Sequence, residues 1–293
     1  MSFSDRSAKT RGATREYTRR VEQTAAVLRE AVDDVPSLAL VLRSDIEGPE
    51  RFSVDVEWSG DELPHWPDAE TPSVLAIGPL AGTPVVLVPE VPALHEGHDP
   101  RDVVFPTRVL VRAGVETLLF GTTVASVVPQ IERGSLVLAA DHVNFQGANP
   151  LVGPNVDEWG PRFPDMTAPY ATSLRQAARA VARREGLRVQ EGIYFATLGP
   201  DRGSSAERRM ARTLGADVLG TDTVQNVIAA RHMGAEVLSV SAVTEERAWT
   251  DRGERRAGPQ ESEEAVLREV QPRLDTLLTG IAASVKSKEK SEE

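Results

Sequence analysis

Two patterns of apolar and polar positions alternate along the chain. From Tyr17 to Val32, the apolar residues Val21, Ala25, Leu28 and Val32 recur at helical spacing and Pro36 closes the segment, so an amphipathic helix opens the fold. Leu38 to Leu42 is a continuous apolar run of strand length. Similar runs recur at Pro84–Val88, Leu118–Phe120, Leu136–Ala140, Tyr194–Leu198 and Val237–Val240, and all six predict buried strands. Helical patterns over Tyr170–Glu185, Ser205–Leu214 and Thr223–His232 lie between the later strands, which points to one α/β domain. Residues 1–14 and the charged stretch 286–293 read as disordered tails around a domain spanning 15–285. Asp251 to Ser262 is charged and glycine-containing and reads as a mobile loop before a final helix near Glu263. A lid and a plain connection both fit it.

Composition narrows the function classes. At 293 residues, with 40% hydrophobic and 26% charged residues, the chain has the material for a large core. A net charge of −11 argues against nucleic-acid or anionic-membrane partners, because phosphate contacts need clustered Lys and Arg. The chain has no cysteine, so it has no disulfide framework, no thiolate nucleophile and no Cys-ligated metal. Met1 to Arg20 is polar and no apolar run approaches the roughly 18 residues of a membrane span. Cytoplasmic residence without a metal or cofactor is the expectation.

Seven strings carry a further signal through their order. They are His95-Glu-Gly-His98, Phe105-Pro-Thr-Arg108, Asp141-His-Val-Asn144, Asn149-Pro-Leu-Val-Gly-Pro154, Arg162-Phe-Pro-Asp-Met166 with Tyr170, Gly215-Ala-Asp217 with Thr223-Val224, and Ala230-Arg-His-Met-Gly234. In order and approximate spacing they resemble the trimeric branch of the purine nucleoside phosphorylase family, over roughly residues 20 to 285. The resemblance implies a single α/β domain with a mixed, partly barrel-like central sheet surrounded by helices, and a homotrimer. It also implies phosphorolysis of a purine nucleoside, with phosphate as co-substrate and no other cofactor. That reaction needs an oriented phosphate, tolerance of oxocarbenium-like charge on the sugar, and a proton or hydrogen bonds for the departing purine.

The same resemblance locates the departures. The phosphate loop reads Leu42-Arg-Ser-Asp-Ile-Glu-Gly48: Ser44 falls on the family's phosphate-binding serine, but Arg43 and Asp45 replace its glycines and Glu47 adds negative charge. The family's phosphate-binding arginine and histidine become Val91 and Ala93. A charge-assisted hydrogen bond contributes roughly 1.5–3 kcal/mol, so loss of the arginine alone weakens phosphate binding by about one to two orders of magnitude. Arg43, His95 and Arg101 are the nearby replacements. The second glycine-rich turn reads Thr122-Thr-Val-Ala-Ser126, where Thr122 and Thr123 offer hydroxyls or simply end a strand.

On the purine side, Gly203 stands where the family places a glutamate, and Asp201 or Glu207 would serve only after a loop shift. Glu245 replaces the asparagine that hydrogen-bonds the leaving base; an ionised carboxylate accepts but does not donate, unless Glu246 beside it raises its pKa. On the ribose side, Thr221 replaces an apolar sugar-stacking residue, and Asp222 is either a ligand for sugar hydroxyls or a solvated strand-end charge. His95, at a tyrosine position of the family, and Glu245 are the catalytic candidates. Arg108, Asp141 and His142 read as scaffold, fixing turns and salt-bridged corners. Three functions remain: a working phosphorylase with altered specificity, a catalytically silent paralogue that binds a ligand or partner, and a hydrolase using water.

Overall fold

The structure is a computed structural model that describes residues 3–43, 45–68, 74–250, 253–256 and 262–292. Helix α1 (Phe3–Ala31) leads into β1 (Leu38–Leu42), followed by β2 (Val56–Ser59), β3 (Val74–Leu80) and β4 (Thr83–Val88). A short α2 (Pro100–Val103) runs into α3 (Phe105–Ala113), then β5 (Thr117–Ser126) and β6 (Leu136–Asn144). The second half continues α4 (Thr172–Glu185), β7 (Val189–Ala196), α5 (Ser205–Thr213), β8 (Val218–Gly220), α6 (Val224–His232) and β9 (Glu236–Glu245). A hairpin of β10 (Arg247–Thr250) and β11 (Gly253–Arg256) precedes α7 (Glu263–Glu292).

The main sheet runs β2-β3-β4-β1-β5-β8-β7-β6-β9, and β5 also pairs with β9. That extra pairing closes β5, β8, β7, β6 and β9 into a barrel-like ring, with β1 to β4 as an open wing on β5. Parallel pairs (β1 with β4 and β5, β5 with β9, β6 with β7) mix with antiparallel ones (β3 with β4, β5 with β8, β6 with β9). The fold is the mixed α/β domain that the sequence resemblance implies.

Strand alternation divides the apolar runs between two cores. Along β1, Ala39 and Val41 pack with Val21, Ala25 and Leu28 of α1 and Phe105 and Val109 of α3. Leu38, Leu40 and Leu42 point the other way, into a core formed with Leu174 and Ala178 of α4 and Val270, Leu274 and Leu277 of α7. Helices therefore cover both faces of the strand, which is why it reads as an unbroken apolar run rather than an alternating one.

The structure corrects several boundaries. Strands β5, β6 and β9 run well beyond their apolar segments, because polar ends such as Thr122–Ser126 keep backbone partners on β8 and β9. Both helical ends reach into the expected tails: α1 starts at Phe3 and α7 continues to Glu292. Arg, Lys, Glu and Ala are good helix formers and extend a helix past its packed face. Within the expected loop 251–262, Gly253–Arg256 is strand β11, while residues 251, 252 and 257–261 lie outside the described residues.

Among the described residues, the scaffold strings serve packing and hydrogen bonding instead of the salt-bridged corners expected of them. Buried Arg108 donates to the Pro150 carbonyl at 3.2 Å and lies over the rings of Tyr17 and Trp159, 5.2 and 5.1 Å from their centroids. Asp141 accepts from the His142 backbone N–H at 2.8 Å, at the register shift between β6 and β7. His142 meets the Tyr170 hydroxyl at 3.2 Å, and burial holds its pKa below the ordinary histidine value.

The loop before α4 is seated on α6 through Gly160, whose carbonyl accepts from the Asn155 amide at 2.8 Å. A Cβ at Gly160 would lie 1.9 Å from the His232 carbonyl oxygen, so any side chain there pushes two backbones apart. Gly160→Ala should destabilise the protein by roughly 1–3 kcal/mol, read as a lower thermal or urea midpoint; an unchanged midpoint would contradict this packing.

Candidate functional site

Strand β1 ends at Leu42, and the chain that leaves it carries Arg43 into a cleft at the carboxyl ends of the parallel strands β1, β4, β5 and β9. Open α/β sheets form ligand crevices at such strand ends, where loops diverge above a rigid base. Two recesses meet at Arg43 and His95, which line both. One, of about 500 Å³ of empty space including its open mouth, is bounded by Thr123, Asp201, Arg202, Gly220, Thr221 and Glu263 among others. The other, of about 610 Å³ on the same measure, is bounded by Glu90, Val91, Ala93, Glu96, Thr122 and Asp222 among others.

Charged groups pair with one another across the cleft. Asp222, in the turn from β8 into α6, accepts from Arg43 Nη1 at 2.7 Å through Oδ2. Its Oδ1 accepts from Thr221 Oγ1 at 2.6 Å and lies 3.7 Å from His95 Nδ1. Asp45 forms a second ion pair with the guanidinium, its Oδ1 3.0 Å from Arg43 Nε, and its Oδ2 accepts from Thr123 Oγ1 at 3.3 Å. Burial alone would lower the Arg43 pKa, but the Asp222 and Asp45 carboxylates more than offset it and push it above the ordinary value. For Asp45 the balance runs the other way: burial raises its pKa, and the attraction of Arg43 does not fully compensate.

The end of β9 builds the opposite wall. Ala125 of β5 pairs with Glu245 while Val124 pairs with Val243, so Thr244 is an extra residue in a bulge. Bulges re-aim side chains, and here the two neighbours diverge. Thr244 faces the cleft and donates to Glu263 at the start of α7 at 2.8 Å. Glu245 turns to Arg208, fully buried on α5, with Oε1 accepting from Nη2 at 3.2 Å; Arg202 Nη1 lies 3.9 Å from its Oε2. Arg202 also bonds Glu263. Burial would raise the Glu263 pKa, but the hydrogen bonds from Arg202 and Thr244 hold it below the ordinary carboxylate value.

The cleft thus gathers Arg43, His95, Thr122, Thr123, Asp201, Thr221 and Asp222. Asp222 is bound to Arg43, which removes the solvated-charge alternative. Gly203, at φ 74°, shapes the loop and gives its carbonyl to Arg208 Nε at 3.3 Å, while Asp201 accepts from the Gly203 N–H at 2.8 Å. Glu207 does not replace the missing glutamate: it closes the N-terminus of α5, accepting from Ser204 N and Oγ at 2.7 Å. The Glu246 carboxylate turns to Arg133, accepting from its backbone N–H at 2.6 Å. Arg101 lies away from the cleft, with its backbone carbonyl bonded by Tyr17. Ser44 lies outside the described residues. Sequence reasoning missed Arg202, Arg208, Thr244 and Glu263, which the loop before α5, α5 itself, the bulge and α7 supply; Arg202 and Thr244 adjoin Gly203 and Glu245, the positions on which the resemblance centres, while Arg208 and Glu263 stand in no string with a readable spacing.

Comparison with known proteins agrees with this fold. The family model of the phosphorylase superfamily matches residues 39–283. The chain is 37% identical over 228 residues to purine nucleoside phosphorylase 1 of Geobacillus stearothermophilus, covering 76% of this chain and 83% of that protein. It is 34% identical over 232 residues to purine nucleoside phosphorylase of Bos taurus, covering 76% and 80%. The fold is similar to a schistosoma purine nucleoside phosphorylase solved in complex with hypoxanthine, at a TM-score of 0.81, 27% identity, and coverage of 90% and 96%.

Asp45 offers a test of the cleft's electrostatics. Its folded-state pKa lies above the unfolded one, so its ionised form opposes folding above that pKa, and the opposition fades as pH falls through it. Asp45→Asn should therefore leave thermal stability at pH 7 equal or higher, with the difference from wild type shrinking on acidification. A clear loss at pH 7 would show that the Arg43 contact outweighs burial.

Proposed function

The chain belongs to the phosphorylase superfamily, where its relatives are purine nucleoside phosphorylases, and on that premise we propose that it binds a purine nucleoside or free purine in this cleft without efficient phosphorolysis. The observation that carries the proposal is the Glu245–Arg208 pair. Where the resemblance puts the amide that stabilises a departing purine, the chain has a carboxylate bound to a buried guanidinium. A carboxylate accepts hydrogen bonds where the amide donates them. The donors beside it, Thr244 and Arg202, are turned toward Glu263. Removal of a positioned acid or base costs typically 10²–10⁴ in rate, and it does so whether phosphate or water attacks the sugar.

The anion side supports the same reading. Val91 and Ala93 line the recess where the resemblance puts an arginine and a histidine. Ser44, Thr122, Thr123, Gly203, Thr221 and Asp222 remain the proposed ligand-binding set, with His95 beside the sugar. A second reading, slow phosphorolysis rebuilt around Arg43, is favoured by the presence of that cation on both recesses. The proposed assembly is a homotrimer acting in cytoplasmic purine metabolism. It is supported by the resemblance and by exposed Phe145, Val152 and Phe163, apolar side chains that subunit contact would cover.

Base release from inosine, guanosine, adenosine and their deoxy forms, with and without phosphate, should fall roughly 10²–10⁴-fold below a phosphorylase that keeps its leaving-group donor. Calorimetry on the same preparation should still detect nucleoside or base binding. Phosphate-dependent release at ordinary enzymatic rates would overturn the proposal in favour of the rebuilt site, and equal release without phosphate would identify a hydrolase.

A further inference from the structure

The strong donors on the Arg43 side of the cleft converge on carboxylates of this chain. Arg43 Nη1 and Thr221 Oγ1 donate to the two oxygens of Asp222, and His95 Nδ1 lies 3.7 Å from one of them. Arg43 Nε and Thr123 Oγ1 face the two oxygens of Asp45. Among the described residues that line the rest of the adjoining recess there is no Lys or further Arg: Val91 and Ala93 are apolar, and Glu90 and Glu96 are acidic. An oxyanion entering here meets a guanidinium already paired with two carboxylates, and two further acidic side chains.

We propose that Asp222 determines the ligand class of this recess: its carboxylate is a built-in anion seated on Arg43, which excludes inorganic phosphate and phosphorylated sugars and admits an uncharged nucleoside or base. The proposal rests on the nucleoside-binding reading of the cleft and adds the residue that sets its charge preference. Asp222 is the stronger of the two internal anions for three reasons. Its contact with Arg43 is shorter, at 2.7 against 3.0 Å. Its side chain is less exposed, at 14% against 27%. The β8–α6 turn and the Thr221 hydroxyl hold it in place, so it does not need to move to stay on Arg43. An oxyanion that takes up Nη1 has to displace it, and displacement strands a partly buried carboxylate without its partner. Without that carboxylate, Arg43 presents a planar fork suited to a tetrahedral oxyanion.

Orthophosphate is the probe, titrated by calorimetry at fixed ionic strength into wild type, Asp222→Ala, Asp222→Asn and the double variant Asp222→Ala with Arg43→Ala. Wild type should show no saturable binding; Asp222→Ala should gain at least about tenfold in affinity, and the double variant should lose that gain. Asp222→Asn, which keeps the side chain's shape and removes its charge, should gain in the same direction and stands in if the alanine variant does not fold. Wild-type phosphate binding as tight as that of the variants, or no gain in a folded Asp222 variant, would overturn the proposal. Inosine binding to wild type, measured separately, tests the reading beneath it: its absence would remove the nucleoside while leaving the phosphate results to decide the role of Asp222.

Discussion

A guanidinium placed at the end of a buried strand has to find an anion, and the way Arg43 does so organises this cleft. Leaving the charge unpaired in a partly desolvated site would cost several kcal/mol. The chain meets that constraint with its own side chains: Asp222 from the β8–α6 turn and Asp45 from the loop after β1. Those partners in turn engage Thr221 and Thr123, and Asp222 lies beside His95. One unavoidable neutralisation thereby fixes the contacts of most polar groups on this side of the cleft. A second pair, Arg208 with Glu245, does the same at the base of the opposite wall.

The fold makes both pairings possible without strain on the core. The ring of β5, β8, β7, β6 and β9 and the wing on β5 bring the ends of β1, β5, β8 and β9 to one edge. The bulge at Thr244 then separates two adjacent side chains, one into the cleft and one into the wall. Because the scaffold residues Arg108, His142 and Tyr170 pack elsewhere, the cleft can change its chemistry while the domain keeps its architecture.

Much of the architecture was legible because burial on both faces of β1, β5 and β9 leaves uninterrupted apolar runs, while α4, α5 and α6 retain clear helical stretches. Strands β2 and β3 were missed: Val56–Ser59 mixes Val and Trp with Glu and Ser, and β3 carries a glycine and a proline. The cleft was legible only where ordered motifs fixed a position, as for Arg43, Asp222 and Glu245. What those residues touch was not. Arg43 and Asp222 are 179 positions apart, and only the closure of the sheet joins them. Arg208 gave no sign of full burial, because it stands among the charged residues Glu207, Arg209 and Arg212 of its helix. Glu263 marked only where a helix begins, and its role at the cleft comes from Thr244 and Arg202.

The central claim is that internal carboxylates occupy Arg43, so that the cleft accepts the purine side of a nucleoside and refuses an anion. A crystal structure of the wild-type protein grown with inosine and a high concentration of orthophosphate tests it most directly. The account predicts nucleoside or hypoxanthine in the cleft, Arg43 still bound to Asp222, and no phosphate between them. Phosphate seated on Arg43, with Asp222 swung away, would contradict it.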